Sequence, residues 1–218
     1  MKIIFLLLKL TLAYTHPCIV FYTGGSNLIS SQLYSDFLSN IDDIDIYKIP
    51  FRCNNKKDLF FNNLKEKYSS INLVGHSSGC VRAINNCNEN IDNLILLDPV
   101  KTPYWPNAKN LDYLNKILII NAAKSYKWSY IPPFIPFIPF FKVELDDIDI
   151  NKDKVTIMTV KDYGHSDIIN NPWRDIMHYS RLSVGYNKRD NINKYHKFLS
   201  NVISRFINIE PQTNEIIV

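Results

Sequence analysis

The sequence predicts an α/β protein: a doubly wound, mostly parallel sheet with helices on both faces. Three observations predict it. Short apolar runs of strand length (PCIVFYT, SSINLV, NLILL, KILIIN and KVTIMTV) recur along the chain and lack the polar alternation of strands buried on one side only. Stretches of helical periodicity separate them, joined by short loops. Finally, residues 73–80 (LVGHSSGC) read as a buried strand that stops abruptly, exposes Ser77 and turns into a helix.

The elements follow in order. Residues 17–23 form a buried strand ending in Gly24-Gly25. A loop leads to a helical pattern through Leu33, Phe37, Leu38 and Ile41. Residues 44–49 (IDIYKI) are a second strand closed by Pro50, and residues 56–68 an amphipathic helix. After the 73–80 stretch and its helix come strands at 93–97, 116–121 and 154–160. An amphipathic helix over 191–208 closes the series. There is no internal repeat, and residues 16–218 read as one domain.

Residues 130–141 (YIPPFIPFIPFF), within a longer loop spanning 126–150, break this rhythm. Their prolines forbid a regular helix or a central strand, yet Phe and Ile are dense. A proline-stiffened segment packed on the domain explains this as well as an apolar wall or lid over a site, or a membrane-docking surface. On the second reading Phe134, Phe137 and Phe140 bind substrate.

Composition narrows the function classes. Hydrophobic residues make up 46% and charged residues 21% of the 218, which allows a sizeable core. The net charge of +4 comes from scattered, interleaved charges, so no nucleic-acid footprint is present. Residues 1–15 carry a lysine, an apolar run and small residues at Ala13 and Thr15, the pattern of a secretory signal peptide, although Lys9 interrupts the run. The expected location is therefore the secretory pathway or outside the cell. The four cysteines form no C-x-x-C pair, and no metal site or cofactor is expected. Cys80 and Cys87, about 10 Å apart along one helix, are too distant to pair, and Cys53 with Cys87 stays open.

Gly75 and Gly79 stand two residues before and after Ser77, giving G-x-S-x-G. Side chains at those glycines would collide with neighbouring backbone in so tight a turn, and their absence lets the serine adopt a strained conformation. A serine nucleophile needs a base, and the base needs an acid. His165 lies directly after the last central strand, whereas His178 and His196 lie in a later stretch and on the final helix. His76 points away when Ser77 points into the site. Asp98 ends the strand after Ser77 and is locked by Pro99. The loop after the next strand, NAAKS at 121–125, has no carboxylate. Asp98 is therefore preferred over Asp112, Asp162 and Asp167. The backbone N–H groups of Ser78, Gly25 and Ser26 are the expected oxyanion donors. Five of the six glycines (Gly24, Gly25, Gly75, Gly79 and Gly164) fall in these loops.

These segments resemble the chlorophyllase-like branch of the α/β-hydrolases. GHSSG is similar to its elbow, LLDPV around Asp98 to its strand ending in Asp-Pro-Val, and KDYGHSDII at 161–169 to its catalytic-histidine segment. The resemblance spans roughly residues 17–208 and implies the α/β-hydrolase fold, with Ser77 as nucleophile, Asp98 as acid and His165 as base. Ser78 replaces the branch's usual arginine and Gly24 its usual histidine, and the Pro-Phe loop has no counterpart. The expected activity is that of a serine carboxylic-ester hydrolase, a lipase or lipid esterase working through an acyl-enzyme. Its partners would be an ester or lipid substrate and a lipid surface. A chlorophyllase-type or small-ester esterase is the alternative within the class. Outside it stands a non-catalytic, lipid-binding module of the same fold.

Overall fold

Strand β1 (Cys18–Tyr22) is buried along its whole length, and its side chains alternate between two cores. Cys18, Val20 and Tyr22 enter one, Ile19 and Phe21 the other. The same period-two division runs through β3 (Ile71–His76), β4 (Asn93–Leu97) and β6 (Lys116–Ala122). A strand covered on both faces must be apolar on both, which is why these elements appear in the sequence as unbroken runs. The computed structural model describes residues 16–25, 29–49, 57–101, 109–125, 141–142, 148–175, 189–208 and 216–217. Residues 1–15, Ser26, Cys53, His178 and the three phenylalanines Phe134, Phe137 and Phe140 lie outside these.

With β2 (Asp45–Lys48), β8 (Val155–Val160) and β9 (Ile216–Ile217), the strands form one parallel sheet in the order β2-β1-β3-β4-β6-β8-β9. Helices α2 (Lys57–Lys65) and α3 (Gly79–Asn86) cover one face, burying Phe61, Leu64, Ala83 and Ile84 in the first core. The one-turn α1 (Ser35–Leu38) and the long α4 (Arg189–Asn208) cover the other, burying Phe37, Leu38, Tyr195, Leu199 and Ile203. Ser200 Oγ of α4 donates to the Phe37 carbonyl, 3.0 Å, and so links the two.

The chain leaves β1 outward to β2, then returns to the far side of β1 as β3 and continues away from it. The connections after β1 and β3 therefore diverge, and their carboxyl ends border the crevice where doubly wound sheets bind ligands.

Two features differ from the sequence expectation. The helical pattern around residues 33–41 is a 3₁₀ turn (Ser31–Tyr34) running into the single turn of α1. Ser39 Oγ and Asn40 Nδ2 both donate to the Asp36 carbonyl, at 3.2 and 2.5 Å, so side chains terminate the helix where its backbone ladder would continue. Two-residue strands β5 (Val100–Lys101) and β7 (Phe141–Lys142) form an antiparallel ribbon, fastening the end of the Pro-Phe segment beside the Asp98 turn. Cys18, Cys80 and Cys87 are buried free thiols, while Cys53 lies outside the described residues. Among the described residues no helix is long and apolar enough to cross a membrane.

Phe37, fully buried between β1 and α4, is the keystone of the second core. Its replacement by alanine is expected to lower the unfolding free energy by about 3–5 kcal/mol, read from urea denaturation.

Candidate active site

The site is built where β3 ends. The ladder pairs His76 with Leu97, and the Ser77 N–H still donates to the Leu97 carbonyl, 3.0 Å. There the backbone reverses. Ser77 takes φ 57°, in the left-handed region, and its carbonyl accepts from Cys80 N–H as α3 begins, 3.1 Å. A Cβ on Gly79 would lie 2.5 Å from the carbonyl oxygens of Tyr22 and Thr23, and one on Gly75 2.7 Å from Cys80 Cα. Both neighbours are backbone and cannot yield, so only glycine fits the turn.

Asp98 occupies the matching position one strand on, also in the left-handed region at φ 42°. Its N–H donates to the Ile120 carbonyl, 2.6 Å. Its Oδ1 accepts from Ala122 N–H at 2.9 Å, and its Oδ2 from Ser125 Oγ at 2.5 Å. Oδ2 also meets His165 Nδ1 at 2.5 Å. Burial pushes the Asp98 carboxyl up, but His165, Ser125 and the Ala122 amide outweigh it and hold the group below its ordinary value.

His165, on the loop after β8, is 5% exposed, and its Nε2 lies 2.8 Å from Ser77 Oγ. A carboxylate can only accept, so Nδ1 carries the proton and Nε2 presents its lone pair to the serine hydroxyl. The loop is braced by Asp167, whose Oδ2 accepts from Gly164 N–H at 2.8 Å. The structure thus places Ser77, His165 and Asp98 in one hydrogen-bonded line. This arrangement lets a serine lose its proton as it attacks an electrophilic carbon.

The weaker candidates lie elsewhere. Asp162 pairs with Lys124, 3.2 Å, and Asp112 accepts from Asn151 N–H, 2.8 Å. Asp167 is directed at Gly164 and Arg174. His196 binds the Asp167 carbonyl through Nε2, 2.9 Å. The Gly24 turn comes against the serine: a Cβ on Gly24 would lie 3.2 Å from Ser77 Cβ. Gly25 follows at φ 59°, and Ser78 is the N-cap residue of α3. Among the described residues no cluster of three or more His, Cys, Asp or Glu could hold a metal.

Sequence reasoning passed over the partners of Asp98 and the role of His76. Ser125 sits in the very loop noted for lacking a carboxylate, and there it supplies a donor in place of an acid. His76 Nδ1 lies 2.9 Å from Tyr34 OH, its Nε2 3.1 Å from the His165 carbonyl, and the Gly24 N–H donates to Tyr34 OH, 3.1 Å. A histidine at the end of a fully buried strand was the available signal.

No family model matches the chain, and no curated protein sequence matches it. Solved structures do. The thioesterase domain SrfTE, described for cyclization of the lipopeptide antibiotic surfactin, is similar with a TM-score of 0.50 and 10% identity, over 92% of this chain and 94% of that one. A YdeN-like hydrolase from Pectobacterium atrosepticum is similar with a TM-score of 0.45 and 13% identity, over 93% of this chain and 99% of that one. The chain has the α/β-hydrolase fold.

The buried histidine makes the fold acid-sensitive. Burial and the neighbouring His165 push the His76 imidazole down from its ordinary value to about 3. The unfolded chain binds this proton below about pH 6.5 while the folded chain refuses it. The stability contributed is therefore complete above about pH 6.5 and is lost as pH falls towards 3, at about 1.4 kcal/mol per pH unit. Asp98, depressed from the ordinary carboxylate range, adds its loss only below about pH 4. Urea titrations between pH 7 and 5 should show the first slope, and His76→Gln should reduce it, the remainder coming from His196, whose imidazole burial also pushes down.

Proposed function

We propose that the protein is a serine carboxylic-ester hydrolase acting through an acyl-enzyme, and that its substrates are lipid esters. The observation that carries the activity is the line Ser77 Oγ, His165 Nε2, His165 Nδ1, Asp98 Oδ2, with spacings of 2.8 and 2.5 Å, at the carboxyl edge of a parallel sheet.

In this reading Ser77 Oγ attacks the ester carbonyl carbon as its proton passes to His165 Nε2. The carbonyl oxygen becomes an oxyanion held by the amides of Ser78, Gly25 and Ser26. Asp98 keeps the ring's orientation and stabilises the imidazolium. The tetrahedral adduct collapses, the C–O bond to the alcohol breaks, and the alcohol leaves with the proton from Nε2. Water then gives a proton to His165 and attacks the acyl carbon. The acid is released and Ser77 is regenerated.

Lipid is the preferred substrate class because the loop at 126–150 is dense in Phe and Ile, with Phe134, Phe137 and Phe140 as the proposed acyl contacts. The leader-like pattern of residues 1–15 supports passage through the secretory pathway to a lipid surface. The Asp-Pro-Val and Asp-Tyr-Gly-His segments support placement near the chlorophyllase-like branch.

A series of nitrophenyl esters of rising chain length, a triglyceride emulsion and a chlorophyll ester provide the test. Turnover should rise with chain length, while a maximum at acetate would move the protein to the small-ester esterases. Ser77→Ala is expected to lower kcat by about 10⁶ and Asp98→Asn by about 10⁴. Equal turnover by wild type and Ser77→Ala would overturn the assignment. Unchanged turnover in Asp98→Asn would move the acid.

A further inference from the structure

His76 is 2% exposed, immediately precedes the serine and takes no part in the chemistry proposed above. It nonetheless connects the three loops on which that chemistry depends. A backbone carbonyl can only accept, so His76 Nε2 carries the proton and donates to the His165 carbonyl, 3.1 Å. Nδ1 then has a lone pair and accepts from Tyr34 O–H, 2.9 Å. The Tyr34 oxygen in turn accepts from Gly24 N–H, 3.1 Å. The three bonds run in one direction with every group satisfied, from the oxyanion loop through the tyrosine and the elbow to the base loop. The rings of His76 and His165 lie 4.8 Å apart between centroids, tilted by 31°.

We propose that His76 is a positioning residue of the hydrolase: as the neutral Nε2–H imidazole, with Tyr34, it holds the backbone of His165 and the Gly24 turn in register with Ser77. A side chain that cannot both donate and accept breaks the connection. A charged one would place a cation beside the imidazolium that forms on His165. The titratable groups facing His76 are Tyr34, His165 and Asp98. Tyr34 belongs to the device because its hydroxyl meets both His76 and Gly24.

The proposal rests on the serine-hydrolase reading, and the experiment separates the two. Ester turnover and the rate of Ser77 labelling by a fluorophosphonate are measured for wild type, His76→Leu, His76→Gln and Tyr34→Phe. His76→Leu should lose about 10²-fold in kcat with KM almost unchanged, since misplacement of reacting groups acts on the transition state, and Tyr34→Phe should lose about tenfold. His76→Gln keeps a donor for the His165 carbonyl and should recover most of the loss. Should His76→Leu fail to fold, histidine ¹⁵N spectra of the wild type carry the test. They should show His76 protonated at Nε2 alone and not titrating between about pH 5 and 8. Unchanged kcat in His76→Leu, equal losses in the Leu and Gln variants, or a titrating His76 would each overturn the positioning role. A wild-type serine that the probe does not label would instead overturn the hydrolase reading.

Discussion

Ser77 holds a backbone conformation that a side-chain-bearing residue avoids, and the surrounding structure is arranged to keep it there. At φ 57° the turn stores about 1–3 kcal/mol, which persists only because neighbouring contacts over-determine it. Those contacts are backbone against backbone. The start of α3 is pressed so closely on the end of β1 that the Tyr22 and Thr23 carbonyls fill the space a Gly79 side chain would need. The same compression brings the Gly24 turn against Ser77. The strain that presents the serine hydroxyl and the approach of the neighbouring loop have one cause, the missing side chains at the junction of β1, β3 and α3.

Sheet register does the rest. Because His76 lies opposite Leu97, the next residues on the two strands, Ser77 and Asp98, emerge side by side. β6 separates them from β8, and its last residue, Ala122, with Ser125 in the turn after it, wraps the aspartate with donors. The loop after β8 then reaches back over that turn and inserts the His165 ring between acid and serine. Asp98 stays charged in a buried place because its oxygens face a hydroxyl, an amide and an imidazole N–H. The buried His76 is the converse case. It stays neutral, and its two ring nitrogens spend their hydrogen-bonding capacity on the loops to either side.

Fold class and principal strands were legible because burial on both faces removes the polar alternation. The strand expected at 93–97 is β4, residue for residue, and that expected at 116–121 is β6 less its last residue. The helix at 33–41 was misjudged because its apolar spacing reports burial, while Ser39 and Asn40 decide where the backbone ladder stops. The strands β5, β7 and β9 were invisible, since two residues carry no period.

Local sequence determined the elbow by itself: only glycine permits backbone contact at residues 75 and 79, and a serine between them must face the crevice. Chain order nominated Asp98 and His165, since each closes a strand of the same parallel sheet. Only the tertiary structure decided the hydrogen bonds. Ser125 turning to Asp98, Tyr34 reaching His76 across 42 positions and His76 reaching the His165 carbonyl across 89 all depend on loops from separate strands meeting at one sheet edge. A hydroxyl or an imidazole has the same sequence signature wherever its partner lies. Its role is set by three-dimensional distance, which no local pattern encodes.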